Sequence, residues 1–490
     1  MKSTKRIAVL GGGAAGLAVL KVLLELPQVR DKSWHVVCYE AREDIGGVWL
    51  PAPPTDDPPL TPLYDSLTTN LPHPIMAYQS LPFPSSTLLF PPASAVLAYL
   101  RSYATTFGLL PFIRLGRRVE DMRWDAEERC WELKVAPGGQ GEARKHYDAV
   151  IVCNGHYSLP HYPSTLGFDA WRTQGKVTIT HSAFYRNPEP WKDKIVLVMG
   201  GGPSGSDVSA EAASVAKKVY HSVSGFVSED VGNVSRRPRA KEFRQDGSVL
   251  FEDGSVAQDI DSVIPATGYQ YDYPFISPPL LVHSTLPLGP GPTPPQHVGN
   301  DTNHVYALAR HLWPLQQDFP THTLAFIGLP ARVIPFPIFE VQARCVVRVL
   351  LHPSALDIPH ELELVRARDV ELREQCAGNQ REVSKSWHRL PDEEQFAYRE
   401  ELLAFARLRK GEWAVEDWAR EMYPVKGELR KEWREIERRG EGKRWVHGVG
   451  EGGVSEWIDL MRRVLKEARR REARGQNING LEKVEDLGKV

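Results

Sequence analysis

Two stretches of this chain put glycines where a backbone must come close to a charged ligand. Gly11-Gly12-Gly13-Ala14-Ala15-Gly16 directly follows the apolar run Ile7-Ala8-Val9-Leu10, and Gly200-Gly201-Gly202-Pro203-Ser204-Gly205 directly follows Ile195-Val196-Leu197-Val198-Met199. Each predicts a strand, a tight turn and the start of a helix. In that arrangement the backbone approaches a pyrophosphate, and the helix N-terminus stabilises its charge. One such fingerprint is a weak signal. Two, each behind an apolar strand, predict a chain that holds two dinucleotides at once.

The residues beyond each fingerprint separate the two ligands. After the first, the strand His35-Val36-Val37-Cys38-Tyr39 ends at Glu40, about 24 residues past Gly16, where a carboxylate accepts hydrogen bonds from a ribose diol. The corresponding second strand, Lys218-Val219-Tyr220-His221-Ser222-Val223-Ser224, ends without an acid. A carboxylate there would repel a 2′-phosphate, so hydroxyls and cations suit NADPH better than NADH. Ser222 is the foremost candidate. Lys217, Lys218, His221, Arg236 and Arg237 are the other local candidates, each weighed against an ordinary solvated charge.

The elements that must position these residues follow from the rest of the chain. Its 490 residues suffice for about two to four domains and a substantial core, and a formal net charge of -2 gives no basic field to recruit nucleic acid. The five cysteines (Cys38, Cys130, Cys153, Cys345, Cys376) are scattered, with no C-x-x-C pair and no zinc-ligand spacing, which predicts reduced thiols and no metal. That also weighs against a disulfide reductase, which needs a redox cysteine pair. The first residues lack the pattern of a signal peptide, and no segment is long and apolar enough to span a bilayer. A cytoplasmic enzyme is the expectation.

The pattern predicts an α/β fold with two Rossmann-like dinucleotide-binding domains, one inserted in the other. Residues 1–164 and 321–490 would form the first and residues 165–320 the second. Residues 51–92 form a Pro-rich loop, and 277–295 an exposed, irregular insertion. From about residue 360 the chain becomes charged and helical. Trp457, Leu460, Met461, Val464, Leu465 and Ala468 recur at helical spacing among Arg462, Arg463 and Lys466. The expectation is a helix packed on the protein with a solvated basic face; contact with a membrane surface is the minor alternative.

With these elements in place the chain resembles the flavin-containing monooxygenases. The resemblance runs through Gly11 to Gly16, Glu40 with Ile45-Gly46-Gly47-Val48-Trp49, Tyr64-Asp65-Ser66-Leu67, Thr69-Asn70-Leu71-Pro72 and Asn154-Gly155-His156-Tyr157. It continues with His181-Ser182, Tyr185-Arg186, the second fingerprint through Ser206 and Asp207, Ala266-Thr267-Gly268-Tyr269, and Glu340-Val341-Gln342-Ala343-Arg344. It implies FAD on Gly11, Gly12, Gly13, Ala14, Ala15, Gly16, Glu40, Val48, Trp49, Asn70 and Leu71, with Gln342 also at the cofactor site. It implies NADPH on Thr69, Asn70, Ser204, Gly205, Ser206 and Asp207, beside Gly200 and Gly202 of the second fingerprint. Asn70 is the implied catalytic residue, an amide that donates and accepts at once without adding charge. Two departures stand out. Val177 occupies the place of a usual glycine four residues before His181, with Gly175 two further back; and no arginine stands near Ser224.

The reaction so implied is NADPH- and O2-dependent transfer of one oxygen atom, by way of a C4a-hydroperoxyflavin, to a nitrogen or sulfur of a small-molecule amine, thiol or sulfide. The absence of an obvious nucleophile triad agrees with chemistry carried by a cofactor. Structural roles are expected for His156 and His181. The nearest rival is a Baeyer–Villiger monooxygenase, disfavoured by Phe184-Tyr185-Arg186 where that family has a tryptophan after its histidine. A nucleotide-binding flavoprotein without oxygenase activity is a more distant one.

Overall fold

The computed structural model describes residues 4–136, 144–283, 293–408 and 413–473. Each fingerprint sits in its own parallel sheet. Strand β1 (Lys5–Leu10) leads into helix α1 (Ala14–Leu24) and then strand β2 (Trp34–Tyr39). Beside β1 on the other side runs Ala149–Val152, flanked by Leu324–Phe326, while Ile113–Arg114 closes the β2 edge. All four pairings are parallel. Ile7, Ala8 and Val9 are fully buried, as a strand covered on both faces must be, and this is why the run is uninterruptedly apolar. A three-stranded antiparallel sheet (Arg118–Asp125, Cys130–Ala136, Lys145–Tyr147) is inserted before Ala149.

The second sheet repeats the plan with strand β3 (Ile195–Met199), helix α2 (Pro203–Ala213) and strand β4 (Lys218–Ser222). Here β3 lies between β4 and Ser262–Pro265, all parallel, with Thr178–Ile179 outside. On the far side of β4 lies Val234–Arg237, which aligns Arg236 with His221 and Arg237 with Ser222. In both sheets the fingerprint strand is the one at which connections leave in opposite directions. The crevice beyond its C-terminal end is where such folds bind ligands.

The chain returns to the first half earlier than the expected boundary at residue 320. Tyr271, Tyr273, Ile276, Leu280 and Val298 share one core with Tyr39, Leu133 and Val150, and the Met122 N–H donates to the Phe275 carbonyl at 2.7 Å. The inserted sheet supplies an apolar face that claims this segment, a pairing between residues far apart in sequence. The expected insertion at 277–295 is described only in part: Leu281–Val282 pairs with Val298–Asn300, and 284–292 lie outside the described residues.

The helical C-terminal region is built onto the first half. Helix α3 (Pro335–Leu351) packs against α1. Farther on, helix α4 (Lys426–Arg438) packs against helix α5 (Val454–Ala473). The six apolar residues picked out by helical spacing in α5 are all buried, together with Leu429, Trp433 and Ile436 of α4. Arg462, Arg463, Lys466, Arg469 and Arg470 stay exposed, while Arg471 turns inward to Glu432 at 2.5 Å. Among the described residues no helix is long and apolar enough to cross a membrane. All five cysteines are unpaired; four are buried and Cys376 is partly so.

Candidate functional site

The two glycine turns are the same construction built twice. Gly11 has φ +111° and a Cβ there would fall 2.5 Å from the Cys153 carbonyl oxygen; Gly200 has φ +123° and would meet the Ala266 carbonyl oxygen at 2.3 Å. The last glycine of each turn lets helix and strand pack: a Cβ on Gly16 or Gly205 would lie 1.8 Å or 2.0 Å from the carbonyl oxygen of the first. Gly13 and Gly202 are the N-caps of α1 and α2, and neither helix has a side-chain cap. The first-turn N–H groups of both helices are therefore not claimed by a cap, and each end carries the positive pole of its helix. Such ends fit the pyrophosphates of two dinucleotides.

Glu40 stands beside the first turn. One carboxylate oxygen accepts from the Gly12 N–H at 2.6 Å and the other from the Arg42 N–H at 2.8 Å. Burial raises the Glu40 carboxyl, partly offset by these two N–H groups and by the charge of Arg42. Each oxygen keeps a lone pair for a ribose hydroxyl. Sequence reasoning missed Arg42. Its guanidinium donates to the carbonyls of Gly47 (3.1 Å), Leu50 (2.8 Å) and Pro51 (2.8 Å), shaping the loop that presents Val48 and Trp49. An arginine two residues past Glu40 was the available signal.

The second site differs from expectation in its phosphate candidates. Ser222 is buried, and its hydroxyl donates to the Pro238 carbonyl (3.1 Å) while accepting from the Ala240 N–H (2.9 Å), so it ties the sheet together. Lys217 and Lys218 stand at the start of β4, the end of the strand away from the crevice. His221 is buried against the Gly200 carbonyl at 2.9 Å, helping to hold the turn. Arg236 and Arg237 are at the right end of the sheet; Arg236 is buried beside Glu229 and Arg237 pairs with Asp230 at 2.8 Å.

The Pro-rich loop acts as a strap between the halves. Tyr64 belongs to the core of the second half with Tyr185 and Trp191, whereas Leu71 belongs to the core of the first. Thr69 is buried, its hydroxyl donating to the Leu71 carbonyl at 2.7 Å, and Asn70 between them is exposed. The turn thus points its one amide side chain outward. Arg186 secures the same loop through the carbonyls of Ala52 (3.2 Å) and Thr61 (3.0 Å). Gln342, fully buried, accepts from the Gly328 N–H (3.0 Å) and donates to Tyr398 (2.8 Å), so it positions backbone at the sheet edge.

Ser204 and Ser206 lie half-buried in the first two turns of α2, with Gly205 buried between them. Asp207 is not open to a ligand in the same way. Its carboxylate takes the Tyr64 hydroxyl at 2.5 Å, Arg430 at 3.0 Å and Arg434 at 3.2 Å. Burial alone would raise the Asp207 carboxyl, but the two guanidinium groups and the hydroxyl outweigh it and hold it below the usual range. His181 caps a short helical turn, its Nδ1 accepting from the Ala183 N–H at 3.1 Å, and burial lowers it to about 4. Gly175, at φ +66°, ends the preceding helix, so the left-handed position lies two residues before Val177.

Two glycine turns of this kind, each at the end of its own parallel sheet, fit a protein that binds two dinucleotides. The model of the flavin-binding monooxygenase-like family matches residues 4–227 and 228–406, and the chain belongs to that family. It is similar to flavin-containing monooxygenase FMO GS-OX-like 2 of Arabidopsis thaliana, 30% identical over 452 residues, covering 86% of this chain and 88% of that one. Among solved structures it is similar to S-allyl-L-cysteine S-oxygenase from Allium sativum, with a TM-score of 0.73 and 25% identity over 95% of this chain and 99% of that one. Cyclohexanone monooxygenase shares the fold, with a TM-score of 0.54 and 13% identity over 83% of this chain and 98% of that one. The cofactors are FAD and NADPH, and the co-substrates a small molecule and O2.

Proposed function

We propose that this enzyme transfers one oxygen atom from O2 to the sulfur or nitrogen of a small soft nucleophile. NADPH supplies two electrons, the second oxygen atom leaves as water, and the product is a sulfoxide or an N-oxide. The carrying observation is Asn70, exposed on a strap anchored in the cores of both halves. Sulfur is the first substrate to test, because the Allium sativum enzyme is named for S-oxygenation.

On this reading the first half, with the α1 N-terminus, Glu40, Val48 and Trp49, holds FAD. The α2 N-terminus, Ser204 and Ser206 hold NADPH, with Arg236 and Arg237 nearest its 2′-phosphate. FAD, when bound, supplies the activation of O2. The chain's own part is orientation and exclusion of water: the strap closes over the cleft, and the Asn70 amide donates and accepts at the cofactor face. The second half starts near residue 165 and ends near 270, where the chain rejoins the first core.

The test is turnover under 18O2 with a panel of allyl and methyl sulfides, tertiary amines and cyclic ketones. One labelled oxygen in a sulfoxide or N-oxide per NADPH consumed is the expected result. A labelled ester from a ketone, with sulfides and amines untouched, would replace this reading by the Baeyer–Villiger one.

A further inference from the structure

Helix α2 begins at the second fingerprint, and one of its faces is held from outside the second half. Asp207 and Glu211, four residues apart, lie on that face. From the strap Tyr64 donates to Asp207 and Ser66 to Glu211, while Tyr185, of the second half itself, donates to Glu211 at 2.6 Å. The remaining partners come from α4, more than two hundred residues later: Arg430 and Arg434, also four apart, converge on the same Asp207 carboxylate. Asp207, Arg430 and Tyr64 are largely withdrawn from solvent, and the side chain of Arg434 is 34% exposed. A carboxylate so buried and so fully partnered is strongly destabilised when its cations are removed. Nothing in the oxygen-transfer chemistry requires these arginines.

We propose that Arg430 and Arg434 are positioning residues for hydride transfer: α4 fixes the tilt of α2, and so the placement of NADPH relative to FAD. The helical C-terminal region then belongs to the reaction machinery. This rests on the assignment of NADPH to α2. The geometry explains why three segments meet at Asp207, one from the strap, one from the dinucleotide helix and one from α4. A shift of about 1 Å at the reacting atoms costs on the order of a hundredfold in rate, so a small tilt suffices.

The test uses the full-length holoenzyme and the double variant R430A/R434A. Anaerobic mixing with saturating NADPH should bleach the flavin at least about tenfold more slowly than in the parent, while FAD occupancy is kept. Peroxide released per NADPH should rise. The conservative variant R430K/R434K should recover to within about threefold, because an ammonium replaces the charge without the planar fork. Bleaching and coupling both within about twofold of the parent would overturn the proposal. If the double variant loses its flavin, Arg434→Gln alone serves, with slower bleaching at unchanged occupancy expected. Hydrogen exchange needs no turnover: faster exchange confined to residues 61–70 and 203–213 is expected in R430A/R434A, and unchanged exchange there overturns the clamp. Failure of NADPH to reduce the parent would instead sink the cofactor assignment.

Discussion

Gly13 and Gly202 hold equivalent places at the N-caps of α1 and α2, but their surroundings differ. A Cβ on Gly13 would lie 3.3 Å from Cα of Gly47, whereas nothing lies within 4 Å of one on Gly202. The first turn is closed over by the loop that Arg42 shapes; the second is open. Gly13→Ala is therefore expected to lose bound FAD, seen as the ratio of flavin to protein absorbance after purification. Gly202→Ala is expected to keep FAD and raise the KM for NADPH, because its methyl meets only the incoming pyrophosphate. Replacing Asn70 by Ala should leave NADPH oxidation running while hydrogen peroxide replaces oxygenated product; unchanged coupling would remove Asn70 from the reaction. The conformation of the glycine turns and the place of Glu40 beside the first of them were legible because each answers a local demand of backbone conformation or charge. The role of Ser222 was not, because its partners, Pro238 and Ala240, lie around a bend that sequence spacing does not describe.

Helices α4 and α5 show what an element contributes. Trp433 is fully buried between them, and Trp433→Ala should destabilise the fold by about 3–5 kcal/mol, measured by denaturant titration. Ser222→Ala should cost about 1–3 kcal/mol by leaving the Ala240 N–H without its acceptor. Its preference for NADPH over NADH should stay as in the parent; a large swing toward NADH would restore Ser222 as a phosphate ligand. The buried stripe of α5 could be read from periodicity, since one helix face must be covered. That its partner is α4, and that α4 in turn reaches Asp207, could not. The arginines of both helices look alike in sequence, yet some stay in solvent and others pair with buried carboxylates.

Across the whole molecule several histidines are buried in the neutral form. Burial lowers His311 to about 3 and His156 and His181 to about 4. His311 and His388 share a hydrogen bond of 2.9 Å, and burial depresses His388 in the same direction, well below the usual imidazole value. An unfolded chain protonates these groups near pH 6.5, the folded one only far lower. Their contribution to stability is therefore complete above about pH 6.5 and is lost progressively as pH falls toward 4. Asp207, held below the usual range, adds acid sensitivity of the same sign. The urea midpoint should fall steadily from pH 7 to pH 5; a flat profile would show that the histidines do not titrate on unfolding.

The sequence by itself determined the two glycine turns, the apolar strands before them and the family they belong to, because backbone sterics and strand burial act over a few residues. Tertiary structure alone decided that the chain rejoins the first core at Tyr271, that Ser222 faces inward, and that Asp207 is held by Tyr64, Arg430 and Arg434. Those outcomes depend on which distant surfaces meet, and a charged residue carries no local mark of the partner that will bury it.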